Sequence, residues 1–344
     1  MSSPKQARLA FIGAGAFATR QIYPAIPLIP RIDLVAVCDV DREKAELNAR
    51  NFGARRVYSE IDEMLDMEKP DGVFCIGAAP QQYALAPKVL ERGIPVYVEK
   101  PSANTSEQAR ELAELAEARG TWGQVGFMKR FADVYRMAKE IVARPEFGPL
   151  LQAKIRFAQG PYPQIWGIDS AHRSMLIGQL CHLFDLARFF AGDPKRVHAL
   201  FTQASETQFG WLVSVEYEGG IVGTLDLNSL ESRQPFRDID EEVRLVGLES
   251  NVVCRDMLTL DWQPRDDWTD VAPHTGRYLH SYRPAWTGID RSPVNFGYVN
   301  EVEHFALRCL GEVESGPGLW DSVHSLRFGE AVYESAEAGA ALEI

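Results

Sequence analysis

The chain has 344 residues, 46% hydrophobic and 24% charged, with a net charge of −12. That length exceeds one comfortable hydrophobic core, so two domains are expected. The acidic balance, with no stretch that gathers Lys and Arg on one face, excludes a phosphate-backbone partner and hence nucleic acid.

Met1 to Arg8 lacks the apolar core of a signal peptide, which leads to the expectation of a cytoplasmic protein. Residues Arg8 to Ile12 read as a short apolar strand running into Gly13-Ala14-Gly15-Ala16-Phe17-Ala18, after which a helical pattern begins. This is a G-x-G-x-x-A fingerprint in strand, turn and helix context. The first glycine permits the tight turn, the second lets backbone approach a pyrophosphate, and Ala18 lets helix and strand pack closely. Alone it is weak, because strand-to-helix turns often use glycine for backbone reasons. The next strand, Asp33 to Cys38, ends at Asp39, 24 residues past Gly15. That is close to the offset of roughly 20 at which an acidic residue receives the adenosine ribose hydroxyls. The rival role for Asp39 is capping a helix over Arg42 to Asn51. A carboxylate there repels a 2′-phosphate and favours NAD over NADP, a preference that the nearby Arg42 softens.

The alternation continues with a strand at Asp71 to Ile76, whose end turns through Gly77 and Ala78, and a helix at Gln81 to Arg92. A strand at Val96 to Glu99 then delivers Glu99-Lys100-Pro101 at its carboxyl end, where ligands sit in an open parallel sheet. Taken in isolation Lys100 reads as a solvated strand end; the fingerprint upstream makes it a candidate for chemistry. Thr105 to Arg119 forms a helix, begun by Thr105 with Gln108 in capping-box order. Trp122 to Gly126 gives one more strand, and the whole reads as a doubly wound parallel sheet.

After Arg130 the pattern changes. A helix over Val134 to Val142 is broken by Pro145 and Gly148-Pro149, and Leu150 to Phe157 reads as a strand. A long helix is expected over about Leu176 to Phe190; its most apolar stretch carries Gln179, His182, Asp185 and Arg188, so it spans no membrane. Strands follow at Arg196 to Gln203, Trp211 to Tyr217, Ile221 to Asn228 and Glu242 to Gly247, with a hairpin turn at Tyr217-Glu218-Gly219-Gly220-Ile221. Helices at Asn295 to Leu310 and Leu319 to Ala336 close the chain. On one continuous helix Gly178, His182 and Asp185 share a face, so Asp185 is placed to orient His182. Tyr162 and Trp166 form an aromatic loop fit to stack on a ring or to pack. Tyr298, His280 and Trp286 receive no role. The five cysteines, Cys38, Cys75, Cys181, Cys254 and Cys309, are widely spaced and read as buried thiols, with neither disulfide nor metal expected.

The G-x-G-x-x-A start, Cys38-Asp39-Val40-Asp41 at the second strand, Glu99-Lys100-Pro101 at the fifth and Val125-Gly126-Phe127-Met128-Lys129-Arg130-Phe131 at the sixth resemble one family over nearly the whole chain. It is the glucose-fructose oxidoreductase, inositol dehydrogenase and rhizopine catabolism (Gfo/Idh/MocA) family. The resemblance implies an α/β protein: an N-terminal NAD(P)-binding Rossmann domain over 1–127, then an α+β domain over 128–344 for substrate binding and oligomerisation. The second domain carries a large, mostly antiparallel open sheet that pairs subunits into a homodimer or homotetramer. The cofactor residues implied are Gly13, Gly15, Ala16, Phe17, Ala18, Asp39, Ile76, Gly77, Ala78, Glu99, Lys100 and Pro101, with the Lys100-Pro101 peptide often cis in the family. Lys100 would lie beside the nicotinamide and the substrate hydroxyl, and His182 would bind that hydroxyl, making these two the catalytic pair. Arg130, Trp166 and Gln179 complete the implied substrate contacts. One departure stands out: relatives commonly carry Asp at the position of Gly178, and the neutral Gln179 beside it is no general base. The expected activity is hydride transfer between nicotinamide and a hydroxyl carbon of a sugar, polyol or inositol-like small molecule. An NAD-using glycoside hydrolase and a noncatalytic dinucleotide-binding regulator are the alternatives.

Overall fold

β1 (Ala7–Ile12) and β2 (Ile32–Cys38) are buried on both faces, as strands of a helix-covered parallel sheet must be. Between them the expected α-helix is replaced by a wide π-helical turn at Ala18–Ile22 and a 3-10 helix at Tyr23–Leu28. Pro24 and Pro27 lack the N–H that an α-helix needs there. α1 (Arg42–Phe52) starts at Asp41, whose carboxylate accepts the Lys44 N–H at 3.2 Å. β3 (Arg56–Tyr58), α2 (Ile61–Glu68), β4 (Gly72–Cys75), α3 (Ala79–Leu90), β5 (Val96–Glu99), α4 (Ser106–Ala118) and β6 (Gly123–Gly126) follow. Thr105 caps α4 by accepting the Gln108 N–H at 3.2 Å, while the Gln108 side chain accepts the Asn104 N–H, one residue further back than a capping box requires. The strands pair in the order β3-β2-β1-β4-β5-β6, every pair parallel, so the order reverses between β1 and β4.

The second half runs α5 (Asp133–Val142), β7 (Gln152–Ala158), α6 (Ala171–Gly178), α7 (Cys181–Ala191), β8 (Pro194–Ser205), β9 (Gln208–Tyr217), β10 (Val222–Asn228), β11 (Asp240–Val246), β12 (Asn251–Arg255), β13 (Thr259–Gln263) and β14 (His280–Tyr282). α8 (Ser292–Asn295), α9 (Tyr298–Cys309), α10 (Leu319–Ala338) and β15 (Leu342–Glu343) end the chain. Nine strands form one sheet, β14-β13-β12-β11-β7-β10-β9-β8-β15, antiparallel except for β10 beside β7. β9 shows why the sheet is open on one side: Phe209, Trp211, Val213, Val215 and Tyr217 are buried, while Leu212 between them is 58% exposed. The predicted hairpin joins β9 to β10, with Gly219 and Gly220 at φ 77° and 84°.

The computed structural model describes residues 5–231, 240–264, 280–283 and 292–344; Trp286 and most of the 263–295 stretch lie outside them. Internal contacts divide the chain into a first unit, Met1–Met128 with Ser292–Leu326, and a second, Lys129–Arg291 with Arg327–Ile344. The expected 128–344 span is therefore interrupted. The return is explained by Phe305 of α9, whose ring lies 5.0 Å from Phe74, 5.8 Å from Tyr97 and 5.5 Å from Trp122, inside the aromatic core of the first unit. Phe11 and Tyr23, stacked at 3.9 Å, continue that core. Cys38, Cys75, Cys181 and Cys254 are buried free thiols and Cys309 is half-buried. Among the described residues no helix is long and apolar enough to cross a membrane, and no His, Cys, Asp and Glu group fit to hold a metal ion occurs.

The expected single helix over Leu176 to Phe190 is two. The N–H groups of Gln179 and Leu180 both go to the Met175 carbonyl, at 3.0 and 2.8 Å, and Leu183 and Phe184 both return to the Leu180 carbonyl. The helical register slips by one at Leu180, just after Gly178, the poorest helix former in the stretch apart from proline. His182 and Asp185 therefore share α7, while Gly178 ends α6.

Candidate active site

In the first unit the reversal of strand order sits at Gly13. Its N–H donates to the Cys38 carbonyl at 2.9 Å, and Ile76 at the end of β4 donates to the Ile12 carbonyl at 2.9 Å. Gly13 has φ 105°, and a Cβ there would lie 2.0 Å from the Ile76 carbonyl oxygen, so only glycine fits. Gly15 is different: a Cβ would meet nothing within 4 Å. The fold makes no steric demand for glycine at that position, and the space in front of it is what a pyrophosphate needs for close approach. Ala16 and Phe17 are exposed at the helical start that follows, Phe17 at 42%, and Ala18 is buried.

Asp39, half-buried at the end of β2, holds this loop. One carboxylate oxygen accepts the Ala14 N–H at 2.6 Å and the other accepts the Asp41 N–H at 2.8 Å. The helix cap falls to Asp41, so the rival role for Asp39 is taken by its neighbour. Arg42 is drawn along α1 to Glu46 at 2.9 Å. A tight loop with free space before its second glycine, a carboxylate at the second strand end and the position where strand order reverses together fit a bound dinucleotide. The turn at Ile76, Gly77 and Ala78 leads into α3, whose Gln81 side chain accepts the Ala78 N–H at 3.1 Å.

Lys100, half-buried, leaves β5 through a cis Lys100–Pro101 peptide. Gln82 of α3, 1% exposed, grips both sides of it. Its side-chain oxygen accepts the Glu99 N–H at 2.7 Å, and its nitrogen donates to the Glu99 and Pro101 carbonyls at 2.9 and 3.2 Å. Glu99 itself is buried. It accepts the Lys100 N–H at 3.1 Å and lies 3.0 Å from the Tyr97 hydroxyl, which in turn lies 2.8 Å from Glu301 of α9. Burial pushes the Glu99 carboxyl up to about 7, against the opposing charge of Lys100 and the hydrogen bonds from Tyr97 and the Lys100 N–H. Gly126 of β6 makes the space: a Cβ there would lie 2.7 Å from the carboxyl.

In the second unit the turn Met128–Phe131 sends two charges to buried partners. Lys129 pairs with Glu241 of β11 at 2.6 Å, and Arg130 binds Asp185 with both carboxylate oxygens, at 2.8 and 2.5 Å. Asp185 thus anchors Arg130, on the same helix that carries His182. His182 is buried at 6% exposure and Gln179 is half-buried at the break before it. Gly178 has a reason of its own: a Cβ there would lie 2.7 Å from the Tyr162 hydroxyl, 2.9 Å from Ile165 and 3.3 Å from Trp166. The aromatic loop fills the space that a side chain at 178 would need. Ser174 pins the loop by accepting the Ile165 N–H at 3.1 Å, and Trp166 bends back at φ 55°.

The structure groups Gly13, Gly15, Ala16, Phe17, Ala18, Asp39, Ile76, Gly77, Ala78, Glu99, Lys100 and Pro101 in the first unit, and Arg130, Trp166, Gln179 and His182 in the second. Sequence reasoning missed Gln82, Tyr97 and Glu301. Gln82 and Glu301 carry no local pattern, and Tyr97 reads as an ordinary buried strand aromatic.

Comparison with known proteins identifies the family and the fold. The family model described as "Oxidoreductase family, NAD-binding Rossmann fold" matches residues 7–127, and that of the "GFO/IDH/MocA C-terminal domain" matches 135–251. A D-apiose dehydrogenase of Paraburkholderia graminis is 25% identical, over 99% of this chain and 90% of its own length. A D-glucoside 3-dehydrogenase of Escherichia coli is 30% identical, over 64% of this chain and 67% of its own. The crystal structure of a dehydrogenase from Chromobacterium violaceum superposes with a TM-score of 0.87 at 21% identity, covering 97% of this chain and 96% of the other. The chain belongs to the Gfo/Idh/MocA family of oxidoreductases, with an NAD-binding Rossmann domain and the family's C-terminal domain.

Proposed function

We propose that the chain is an NAD-dependent dehydrogenase acting on a CH–OH carbon of a sugar, polyol or inositol-like substrate. The observation that carries this reading is the fixed strand end at Lys100: the Gln82 side chain holds backbone on both sides of it, in the same parallel sheet as the loop that fits a dinucleotide. The names of the D-apiose and D-glucoside relatives support the substrate class. Bound at Gly13, Gly15 and Asp39, NAD supplies the acceptor for the hydride. The chain's own residues manage the proton. The Lys100 amine accepts it from the substrate hydroxyl, and His182 holds the same oxygen. Arg130, fixed by Asp185, and Gln179 and Trp166 position the remaining hydroxyls. NAD is favoured over NADP because Asp39 repels a 2′-phosphate while Arg42 is engaged by Glu46.

The test follows the absorbance of reduced nicotinamide with NAD or NADP and a panel of aldoses, inositols and acid sugars, for wild type beside Lys100→Met. Turnover with one substrate class, lowered about 10²- to 10⁴-fold in the variant with NAD affinity kept, is the expected result. Equal loss of NAD binding would count against the role of Lys100. Sugar release without reduced nicotinamide would favour the glycosidase, and tight NAD binding with neither reaction would favour a regulator.

A further inference from the structure

The Tyr97 hydroxyl stands between two buried carboxyls, Glu99 at 3.0 Å and Glu301 at 2.8 Å. Both glutamates are inside the first unit, Glu99 4% and Glu301 0% exposed. A phenol has one proton to donate. It can donate to one carboxylate only. The other contact is attractive only if that carboxyl keeps its own proton and donates to the phenol oxygen. Were both glutamates ionised, one would face the lone pairs of Tyr97 at hydrogen-bond distance with two like charges a phenol apart in a dry site.

We infer that Glu99, Tyr97 and Glu301 retain one shared proton at neutral pH, and that Tyr97 and Glu301 thereby act as positioning residues that limit the negative charge beside Lys100. This rests on the assignment of Lys100 as proton acceptor. A base that must be uncharged to accept a proton is hindered by an added negative charge next to it; the triad carries one charge where two carboxylates would carry two. Among the described residues, the titratable groups that meet or act on Glu99 are Tyr97 of β5, Lys100 just beyond it, and Tyr298 and Glu301 of α9; Gln82 of α3 and Gly126 of β6, which also touch it, are uncharged. Tyr298 is pushed up by burial and by both glutamates, so it adds no negative charge. The raised Glu99 carboxyl agrees with a retained proton.

Infrared difference spectra of the cofactor-free protein against pH test the inference directly. A C=O stretch of a protonated carboxyl is expected at about pH 6, where surface carboxylates are ionised, fading by about pH 8. In Glu301→Gln the amide donates to Tyr97 and Tyr97 donates to Glu99, which favours the ionised Glu99, so the band weakens at pH 6 and fades at lower pH than in wild type. In Tyr97→Phe, which keeps the ring, the band moves to the frequency of a carboxyl without its acceptor. No such band in folded wild type, or a band that neither variant alters, overturns the inference, and both readings need no turnover. Failure of the dehydrogenase assay with the band present counts against the proposed reaction instead. With an active substrate, Glu301→Gln should also move the rising limb of oxidation against pH to higher pH, about tenfold slower at a fixed pH on that limb; an unmoved limb overturns the link to Lys100.

Discussion

Each unit buries a glutamate together with a tyrosine, and the two are kept in opposite ways. In the second unit Glu241 is met by a full cation, Lys129 at 2.6 Å, with the Tyr135 hydroxyl also bonded to it. Lys129 is itself buried at 3% and touches the Met257 sulfur at 3.2 Å, so both charges have left water together. In the first unit the tyrosine of Glu99 is shared with a second acid, and the lysine next in sequence donates its backbone N–H. The site at Glu241 was made by supplying a side chain, and that at Glu99 by removing one, at Gly126. A neutralised ion pair fixes a geometry, whereas a carboxyl held near neutrality can answer to pH. The first suits the turn that carries Arg130; the second suits the neighbourhood of Lys100.

The largest expected effect breaks the compensated cluster. Lys129→Met keeps much of the buried stem but leaves Glu241 charged and unmatched, and should destabilise by about 3–5 kcal/mol. Adding Glu241→Gln should recover most of that loss, because the uncompensated charge is then gone. Denaturant titration of both variants at neutral pH checks it. A single variant within about 1 kcal/mol of wild type would place the pair with weak surface bridges and remove the contrast between the units.

The same contrast explains what was legible in the sequence. The strand and helix alternation, the glycine fingerprint, Asp39 and the Glu99-Lys100-Pro101 strand end are local patterns, and each appears where its period or spacing puts it, save the first helix, which becomes a π-helical turn and a 3-10 helix. What escaped is what the chain brings together over long separations. Tyr97 meets Glu301 across 204 residues and Arg130 meets Asp185 across 55. The return of Ser292–Leu326 to the first unit went unseen because an apolar helix face does not say which core it enters. The helix break at Leu180 went unseen because apolar residues run through it without interruption; the glycine before it was the one signal. Gly178 looked like a lost functional side chain, and the structure gives it a steric reason in Tyr162, Ile165 and Trp166.

A smaller effect sharpens the account of the site at Glu99. Gly126→Ala adds one methyl group, 2.7 Å from the Glu99 carboxyl carbon. Backbone on one side and the Tyr97 hydrogen bond on the other leave the carboxyl little room, so the variant should lose about 1–3 kcal/mol by overpacking. Unchanged stability would mean that the carboxyl moves freely and that its bond to Tyr97 is dispensable.

The finest distinction lies in the slope of stability against pH. An unfolded glutamate loses its proton near 4.3, whereas Glu99 in the fold keeps it to about 7. Between those values the folded protein binds the additional proton, so stability from this group is full below about pH 4 and is lost as pH rises through about 7. Glu99→Gln has no proton to lose. Whatever fixed loss its missing hydrogen bonds impose, the variant should gain on wild type by at most about 1.4 kcal/mol per pH unit between about pH 5 and 7, then run parallel to it. Denaturation midpoints at four pH values read that slope. If Glu99→Gln shows no slope while Glu301→Gln does, the retained proton belongs to Glu301, and the carboxylate next to Lys100 is the charged member of the pair.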